Sequence, residues 1–222
     1  IITPSGMHLE HTLEIIGDFG KHAIVEKPTF MRPGQLQTAF KCAEAAGKRI
    51  FPVFQNRYNK AVSRVRQAFQ TGELGDIRTV SVKLRWCRPQ RYYDMASWRG
   101  TFSHDGGALT NQTIHHVDLL RHLGGEVDRV NATMRTLGAN IEVEDTTVAT
   151  LTYKSGAVGT LESTTAARPD DFEASISFVC SEGMAQIGGI AVNDLQIFTP
   201  DPSACEANSE DFKRIEGHGA VY

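Results

Sequence analysis

Two short stretches hold the side chains best suited to moving a proton: Glu26-Lys27-Pro28, and the histidine pair His115-His116. An imidazole titrates near neutrality and can take a proton from an alcohol. An ammonium can hydrogen-bond the oxygen left behind and stabilise its growing negative charge. In the stretch from Gly106 to Leu123, Asn111, His115, Asp118 and His122 fall in one stripe at about 100° per residue, while Ile114, Val117, Leu120 and Leu123 spread over the other side. The pattern predicts one helix, buried except along a polar seam, with His116 pointing away from it. A buried polar seam needs partners or a cleft. On its own, a histidine pair on a helix is more often structural than catalytic, so the rest of the chain must decide. A hydrolytic metal set of His104, His115, His116, His122 and Asp118 is not supported. With His116 turned away, the spacing does not bring three ligands together, and no metal is expected.

The elements that must position these groups follow from periodicity. Ile1-Ile2-Thr3 reads as the end of a buried strand, and Ser5 as the N-cap of a helix with Leu9, Leu13 and Ile16 inward and Gly17 and Gly20 as stops. The chain therefore opens inside a β-α unit and is expected to be a piece of a longer enzyme, cut again near Gly217–Tyr222. His22 to Glu26 is a short apolar strand that delivers Glu26-Lys27-Pro28 at its carboxyl end, where Pro28 invites a constrained, even cis, turn. Pro33 opens a second helix with Leu36, Ala39, Phe40 and Ala43 on one face, and Arg49 to Phe54 is a further strand. Residues 1–55 thus alternate as part of a doubly wound α/β sheet, whose ligands sit at the carboxyl ends of strands. Three polar clusters occupy such ends: Thr3-Pro4-Ser5 with His8, then Glu26-Lys27-Pro28, then Gln55-Asn56-Arg57.

Asn59 is placed to cap a third helix with Val62, Val65, Ala68 and Phe69 inward and Gly72 after it. From Ile77 the period changes to two. Strands are predicted over 79–86, 127–136, 145–153, 157–165, 173–180, 184–187 and 195–198, with turns at Lys154-Ser155-Gly156 and Ser181-Glu182-Gly183. Residues 56–222 are therefore an open-faced, mostly antiparallel sheet with packed helices, an α+β unit. Thr146, Val148, Thr150 and Thr152 face outward and are only weakly polar, a surface suited to pairing in a dimer or tetramer. Thr199 to Tyr222 reads as loop.

Composition narrows the function classes. Of the 222 residues, 41% are hydrophobic and 22% charged, which is ordinary for a globular protein with a sizeable core. A net charge of -3 provides no broad basic face for nucleic acid and no polybasic membrane anchor. No apolar run is long enough to span a bilayer, and no signal peptide is evident. Cys42, Cys87, Cys180 and Cys205 lie far apart, so a reducing, cytoplasmic location is expected.

Taken together, Thr3-Pro4-Ser5 with His8, Gly20 to Pro28, and Gly106-Gly107 leading to His115 and Asp118 closely resemble the glucose-fructose oxidoreductase, inositol dehydrogenase and rhizopine catabolism family. The resemblance implies a Rossmann domain followed by an antiparallel-sheet domain, NAD as cofactor with NADP as the alternative, and oxidation of a sugar or polyol hydroxyl. It assigns His115 as base and Lys27 as the group on the substrate oxygen, with Glu26 at the nicotinamide ribose and Pro4, Ser5, His8, Pro28 and Asn56 near the cofactor. Arg85 to Gln90, Tyr92-Tyr93-Asp94, Trp98-Arg99-Gly100, Asn111-Gln112 and Thr164 to Pro169 look like the branch that oxidises UDP-N-acetylglucosaminuronic acid at the sugar 3-hydroxyl for surface polysaccharides. An anionic sugar nucleotide suits these residue types. Arg85, Arg88, Arg99 and Arg168 offer forked donors to carboxylate and diphosphate, about half of them expected to reach ligand. Trp98, Tyr92 and Tyr93 offer flat surfaces, and Asn111 and Gln112 would orient the sugar.

The sequence departs from the family pattern in three ways. Asn111 stands where many members have aspartate, and Thr113 where they have glycine. No Gly-x-Gly-x-x-Gly follows a strand, so these residues alone are expected not to bind NAD tightly. Another sugar or polyol dehydrogenase, or a non-catalytic sugar-nucleotide-binding protein, remains the alternative.

Overall fold

The computed structural model describes residues 1–210. Helix α1 (His8–Gly17) follows a 3-10 turn over Ser5–Met7, so Ser5 lies inside the turn and caps nothing with its side chain. The buried line of α1 is His8, Thr12 and Ile16, with Leu9 and Leu13 only half-buried. Polar His8 can be buried because its ring faces two carbonyls, that of Pro28 at 2.8 Å from Nδ1 and that of Thr3 at 3.1 Å from Nε2, and its N–H donates to one of them. Strands β1 (Ala23–Val25) and β2 (Ile50–Pro52) pair in parallel, with α2 (Pro33–Ala45) between them in the chain. Helices α1 and α2 cover one face through Ile16, Ala23, Val25, Ala39, Ala43 and Ile50. The expected inward residues Leu36 and Phe40 are 45% and 42% exposed, because α2 makes its buried contact through the small side chains of Ala39 and Ala43.

The opposite face of the pair is bare. Register partners Ile24 and Phe51 are 63% and 47% exposed there, although parallel sheets are ordinarily covered on both sides. Residues 1–3 form no strand and Ile2 is 88% exposed, contrary to the expected buried strand end. Ile1 nevertheless runs beside β1, its ammonium donating to the Ile24 carbonyl and its carbonyl accepting from the Glu26 N–H.

The larger core belongs to a seven-stranded sheet of order β4-β5-β6-β3-β7-β8-β9. Its strands are β3 (Ile77–Arg85), β4 (Val127–Arg135), β5 (Thr146–Tyr153), β6 (Val158–Thr164), β7 (Glu173–Cys180), β8 (Met184–Gly188) and β9 (Asp194–Phe198). Only the β3–β6 pairing is parallel. Helix α3 (Lys60–Thr71) lays Val62, Val65 and Ala68 on this sheet, where they meet Leu119, Ile176 and Phe178 in one cluster. Each large side chain sealed in this way contributes about 1.5–3 kcal/mol relative to exposure. Asn59 flanks α3 but does not cap it with its side chain. Its amide donates to the carbonyls of Ala191 and Val192 at 2.8 and 3.0 Å, which fixes the loop between β8 and β9. Thr147, Ala149, Leu151 and Tyr153 of β5 are buried, and Val148, Thr150 and Thr152 are exposed on the other face, the alternation expected for a half-covered sheet.

The stretch after Thr199 is not all loop, because residues Ala204–Asn208 form a short helix that buries Ala204 against the sheet core. Gly217–Tyr222 lies outside the described residues. The single helix expected over Gly106–Leu123 is two: α5 (Gly107–Asn111) and α6 (Ile114–Gly124), with α4 (Gln90–Asp94) upstream. The break falls at Gln112-Thr113, whose N–H groups both donate to the Ala108 carbonyl, while the buried Thr113 hydroxyl is held by Ser163 of β6 at 2.5 Å. A new turn then starts from the Thr113 carbonyl. Gly107, at φ +91, opens α5 because a Cβ there would lie 1.9 Å from the Glu144 carboxylate, which instead accepts the Leu109 N–H. No helix among the described residues is long and apolar enough to cross a membrane.

Candidate active site

The ends of β1, β2 and β3 converge with α5 and α6 on a cavity of ≈ 680 Å³. Glu26 and Lys27 enter it from the carboxyl end of β1, Gln55 and Asn56 from the turn after β2, and Arg88 from the segment after β3. Tyr92, Trp98 and Arg99 form one wall; Asn111, Gln112 and His115 form another. The peptide bond between Lys27 and Pro28 is cis, and His8 bridges that turn to Thr3. The Lys27 ammonium donates to the Asn111 carbonyl at 2.9 Å. Burial lowers its pKa below the ordinary lysine value; Glu26 and Asp105 oppose that shift, and the Arg88 and Arg99 charges reinforce it.

His115 presents its ring edge to Phe54 and lies 3.5 Å from the Gln55 amide nitrogen through Nε2. That donor favours the tautomer with the proton on Nδ1, which is buried without a partner among the described residues. Burial, and next the Lys27 charge, lowers the His115 pKa to about 4, against a smaller opposing pull from Asp118. The imidazole is therefore neutral at pH 7 and able to accept a proton. Asp118 accepts two hydrogen bonds from Arg57, one of them at 2.7 Å from Nε, and so clamps α6 to the turn that carries Gln55 and Asn56.

Not every anticipated residue reaches the cavity. Of the four arginines, Arg88 and Arg99 line it. Arg85 instead clamps Glu162 of β6 at 2.6 Å and Glu173 of β7 at 3.2 Å, and Arg168 donates to the carbonyls of Thr165, Ala167 and Gly138. Their charges are spent on joining strands and holding loops. Ser5 and Asn56 are in the lining, whereas Pro4, His8 and Pro28 stand behind it. His116, expected to face away from the seam, is buried at 2% exposure and lines the cavity floor.

Sequence reasoning missed Trp86, Asp171, Ile190 and Ala191 as lining residues. Asp171 could have been sought as an acidic partner for an arginine, since it binds Arg88 at 3.0 Å. Ile190 and Ala191 carry no such signal and arrive through the loop held by Asn59. Arg88 is further sandwiched, its guanidinium 4.9 Å from the Trp86 ring centre. Arg99 stacks 4.2 Å from the Tyr92 ring and 4.9 Å from the Trp98 ring and donates to the Tyr92 hydroxyl. Among the described residues no carboxylate lies within ion-pair distance of Arg99, which leaves a cation at the cavity wall for an anionic ligand. Asn56, 9% exposed, likewise has an amide without a hydrogen-bond partner among the described residues. Among the described residues no three histidine, cysteine or carboxylate side chains cluster as metal ligands.

Comparison with known proteins sets this geometry beside characterised ones. The family profile for the GFO/IDH/MocA C-terminal domain matches residues 62–186. The WlbA dehydrogenase of Bordetella pertussis, solved with NADH and UDP-GlcNAcA, is 41% identical, with a TM-score of 0.86 over 89% of this chain and 57% of that one. The WlbA enzyme of Chromobacterium violaceum, solved with the same two ligands, is 42% identical, with a TM-score of 0.85 over 88% of this chain and 56% of that one. The scyllo-inositol 2-dehydrogenase (NADP(+)) IolW of Bacillus subtilis is 29% identical over 153 residues, 69% of this chain and 42% of the relative. The chain thus spans about half the length of the proteins it matches.

Proposed function

This chain belongs to the GFO/IDH/MocA family, and from that premise we propose that the protein is an NAD-dependent dehydrogenase. Its substrate is a carboxylated sugar nucleotide of the UDP-N-acetylglucosaminuronic acid type, oxidised at the sugar 3-hydroxyl in cytoplasmic synthesis of surface polysaccharide. The observation that carries the substrate class is Arg99, a cation at an aromatic wall that has no carboxylate within ion-pair distance, and a buried Nε without a hydrogen-bond partner, among the described residues. A neutral polyol would leave that charge with only the through-space pull of Asp105 behind the wall, in a partly dry site. The WlbA complexes with UDP-GlcNAcA support the same class.

The residues at the cavity mouth fit a dinucleotide. Glu26 has an oxygen free beyond the one that accepts the Lys27 N–H, suited to ribose hydroxyls, and the unpartnered Asn56 amide adds a donor and an acceptor at the end of a parallel strand. Ser5 stands beside them, and residues 1–55 serve as the cofactor-side domain. Glu26, Asn56 and Ser5 would hold NAD, which would supply the hydride acceptor for oxidation of the carbinol carbon. His115 takes the hydroxyl proton on Nε2, and Lys27 hydrogen-bonds the same oxygen and stabilises its developing charge. Arg99 holds the carboxylate and so fixes which hydroxyl faces the base. Asn111 and Gln112 orient the ring from the facing wall.

Arg99→Met is expected to raise KM for UDP-N-acetylglucosaminuronic acid about 10- to 100-fold, the value of a charged hydrogen bond, with KM for NAD nearly unchanged. Steady-state assays of the protein encoded by the whole gene, run against the uronic acid and its uncharged UDP-N-acetylglucosamine parent, measure this. An equal loss on both substrates would refute the assignment.

The bare face of the large sheet is the proposed contact between copies of the chain. Val148, Val158 and Val179 are 54%, 51% and 45% exposed there, a weakly polar surface of the kind covered in homo-oligomers. Val148→Arg is expected to lower the solution mass measured by light scattering from a dimer or tetramer to a monomer. A mass unchanged by the substitution would move the interface elsewhere.

A further inference from the structure

Behind the cavity wall lies a carboxylate that the proposed chemistry does not use. Asp105 is 4% exposed, and its two oxygens are divided: Oδ2 accepts the Gly100 N–H at 2.6 Å and Oδ1 accepts the Asn111 amide. Asn111 then points its own amide oxygen at the Gln112 side chain, 3.2 Å away, and offers its backbone carbonyl to the Lys27 ammonium. Gln112 continues to the Tyr92 hydroxyl at 3.0 Å. Each link has a fixed donor and a fixed acceptor. The carboxylate can only accept, so the Asn111 amide must show its NH2 inward and its oxygen to Gln112. A group at 105 that could not accept on both sides would disturb that order along the whole chain of bonds.

We propose that Asp105 is a positioning residue for the dehydrogenase reaction: it orients Asn111, through it sets the place of the Lys27 ammonium, and supplies a buried negative charge that keeps that ammonium protonated. The inference rests on the reading of Lys27 as the group on the substrate oxygen. Two anions act on Lys27, Glu26 beside it in sequence and Asp105 from the facing segment; Arg88 and Arg99 act against them, and His115 shares its field. Asp105 is thus one of two groups that offset two cations at the reacting atoms.

The test exchanges the partners. In Asp105→Asn, the new amide must still accept from the Gly100 N–H, so its NH2 meets the NH2 of Asn111, donor against donor. In the double variant Asp105→Asn/Asn111→Asp the pair is restored in reverse, because that NH2 now meets a carboxylate that can also accept from Gln112. In the protein encoded by the whole gene, with NAD and UDP-N-acetylglucosaminuronic acid, the single variant is expected to lose about 10- to 100-fold in kcat, with KM for NAD within about twofold. The alkaline limb of its pH profile moves to lower pH, since an ammonium without its anion discharges sooner. The double variant recovers most of the loss, and the limb returns. A single variant within about twofold of wild type overturns the proposal, as does a loss with an unmoved limb and no recovery in the double variant, which is the behaviour of a packing residue. Titration of the Lys27 13Cε resonance by NMR, assigned by its absence in Lys27→Arg, reads the same shift without substrate. If the wild type turns over no sugar nucleotide, the dehydrogenase reading fails by itself, and the lysine midpoint in the two variants still decides the role of Asp105. If the single variant does not fold, a folded double variant whose Lys27 midpoint lies at or above that of wild type supports the proposal, and a lower midpoint overturns it.

Discussion

Replacing His115 by alanine in the protein encoded by the whole gene is expected to lower kcat about 10²- to 10⁴-fold, the usual contribution of a positioned general base. NADH affinity, followed by fluorescence titration, should stay within about twofold, because the ring contributes no charge at neutral pH. The pH profile carries a second signature. Burial and Lys27 hold the imidazole pKa down at about 4, so wild-type activity should persist well below the ordinary histidine range and fall only as pH approaches that value. In the alanine variant that acid limb is absent. A fall in kcat of less than about tenfold would move the base elsewhere and return His115 to a structural role.

Lys27→Met is the second large effect, about 10²- to 10³-fold in kcat, comparable to loss of one donor to a developing oxyanion. The wild-type alkaline limb reports discharge of the Lys27 ammonium, lies below the ordinary lysine value, and should vanish in the variant. The same charge depresses His115, so its removal lets the imidazole pKa rise from about 4 toward 6.5 and carries the acid limb to higher pH. Loss of the alkaline limb together with a rise of the acid limb is the measurement. If Lys27→Met leaves the acid limb in place, the two side chains do not share a field, and the paired mechanism fails.

What could be read from the sequence followed local rules. Period-two alternation marked β5 and β6 within a few residues, because one face of the sheet is packed there and the other is not. The carboxyl end of a short apolar strand aimed Lys27 at the crevice, because that is where parallel strands deliver polar groups. Arg85 and Arg168 could not be sorted from Arg88 and Arg99 by type, since Arg85 is turned to carboxylates on neighbouring strands and Arg168 to a ring of backbone carbonyls, contacts set by the tertiary fold. The helix break escaped for a similar reason. Apolar spacing continues across Gln112-Thr113, and only the bond from Thr113 to Ser163, 50 residues away, interrupts it. Asp105 gave no signal at all, as a lone aspartate in a turn before two glycines.

The bond from Lys27 Nζ to the Asn111 carbonyl crosses 84 residues of chain and joins the small parallel core to the large sheet core. A free lysine side chain carries about 2 kcal/mol of rotamer entropy, which a ligand must remove if it is the first partner to fix the ammonium. Here one of three N–H donors is already engaged before any ligand enters, and the other two remain for an incoming oxygen. The disorder of the long alkyl stem is therefore removed when the chain folds rather than when substrate binds, and ligand affinity need not supply it.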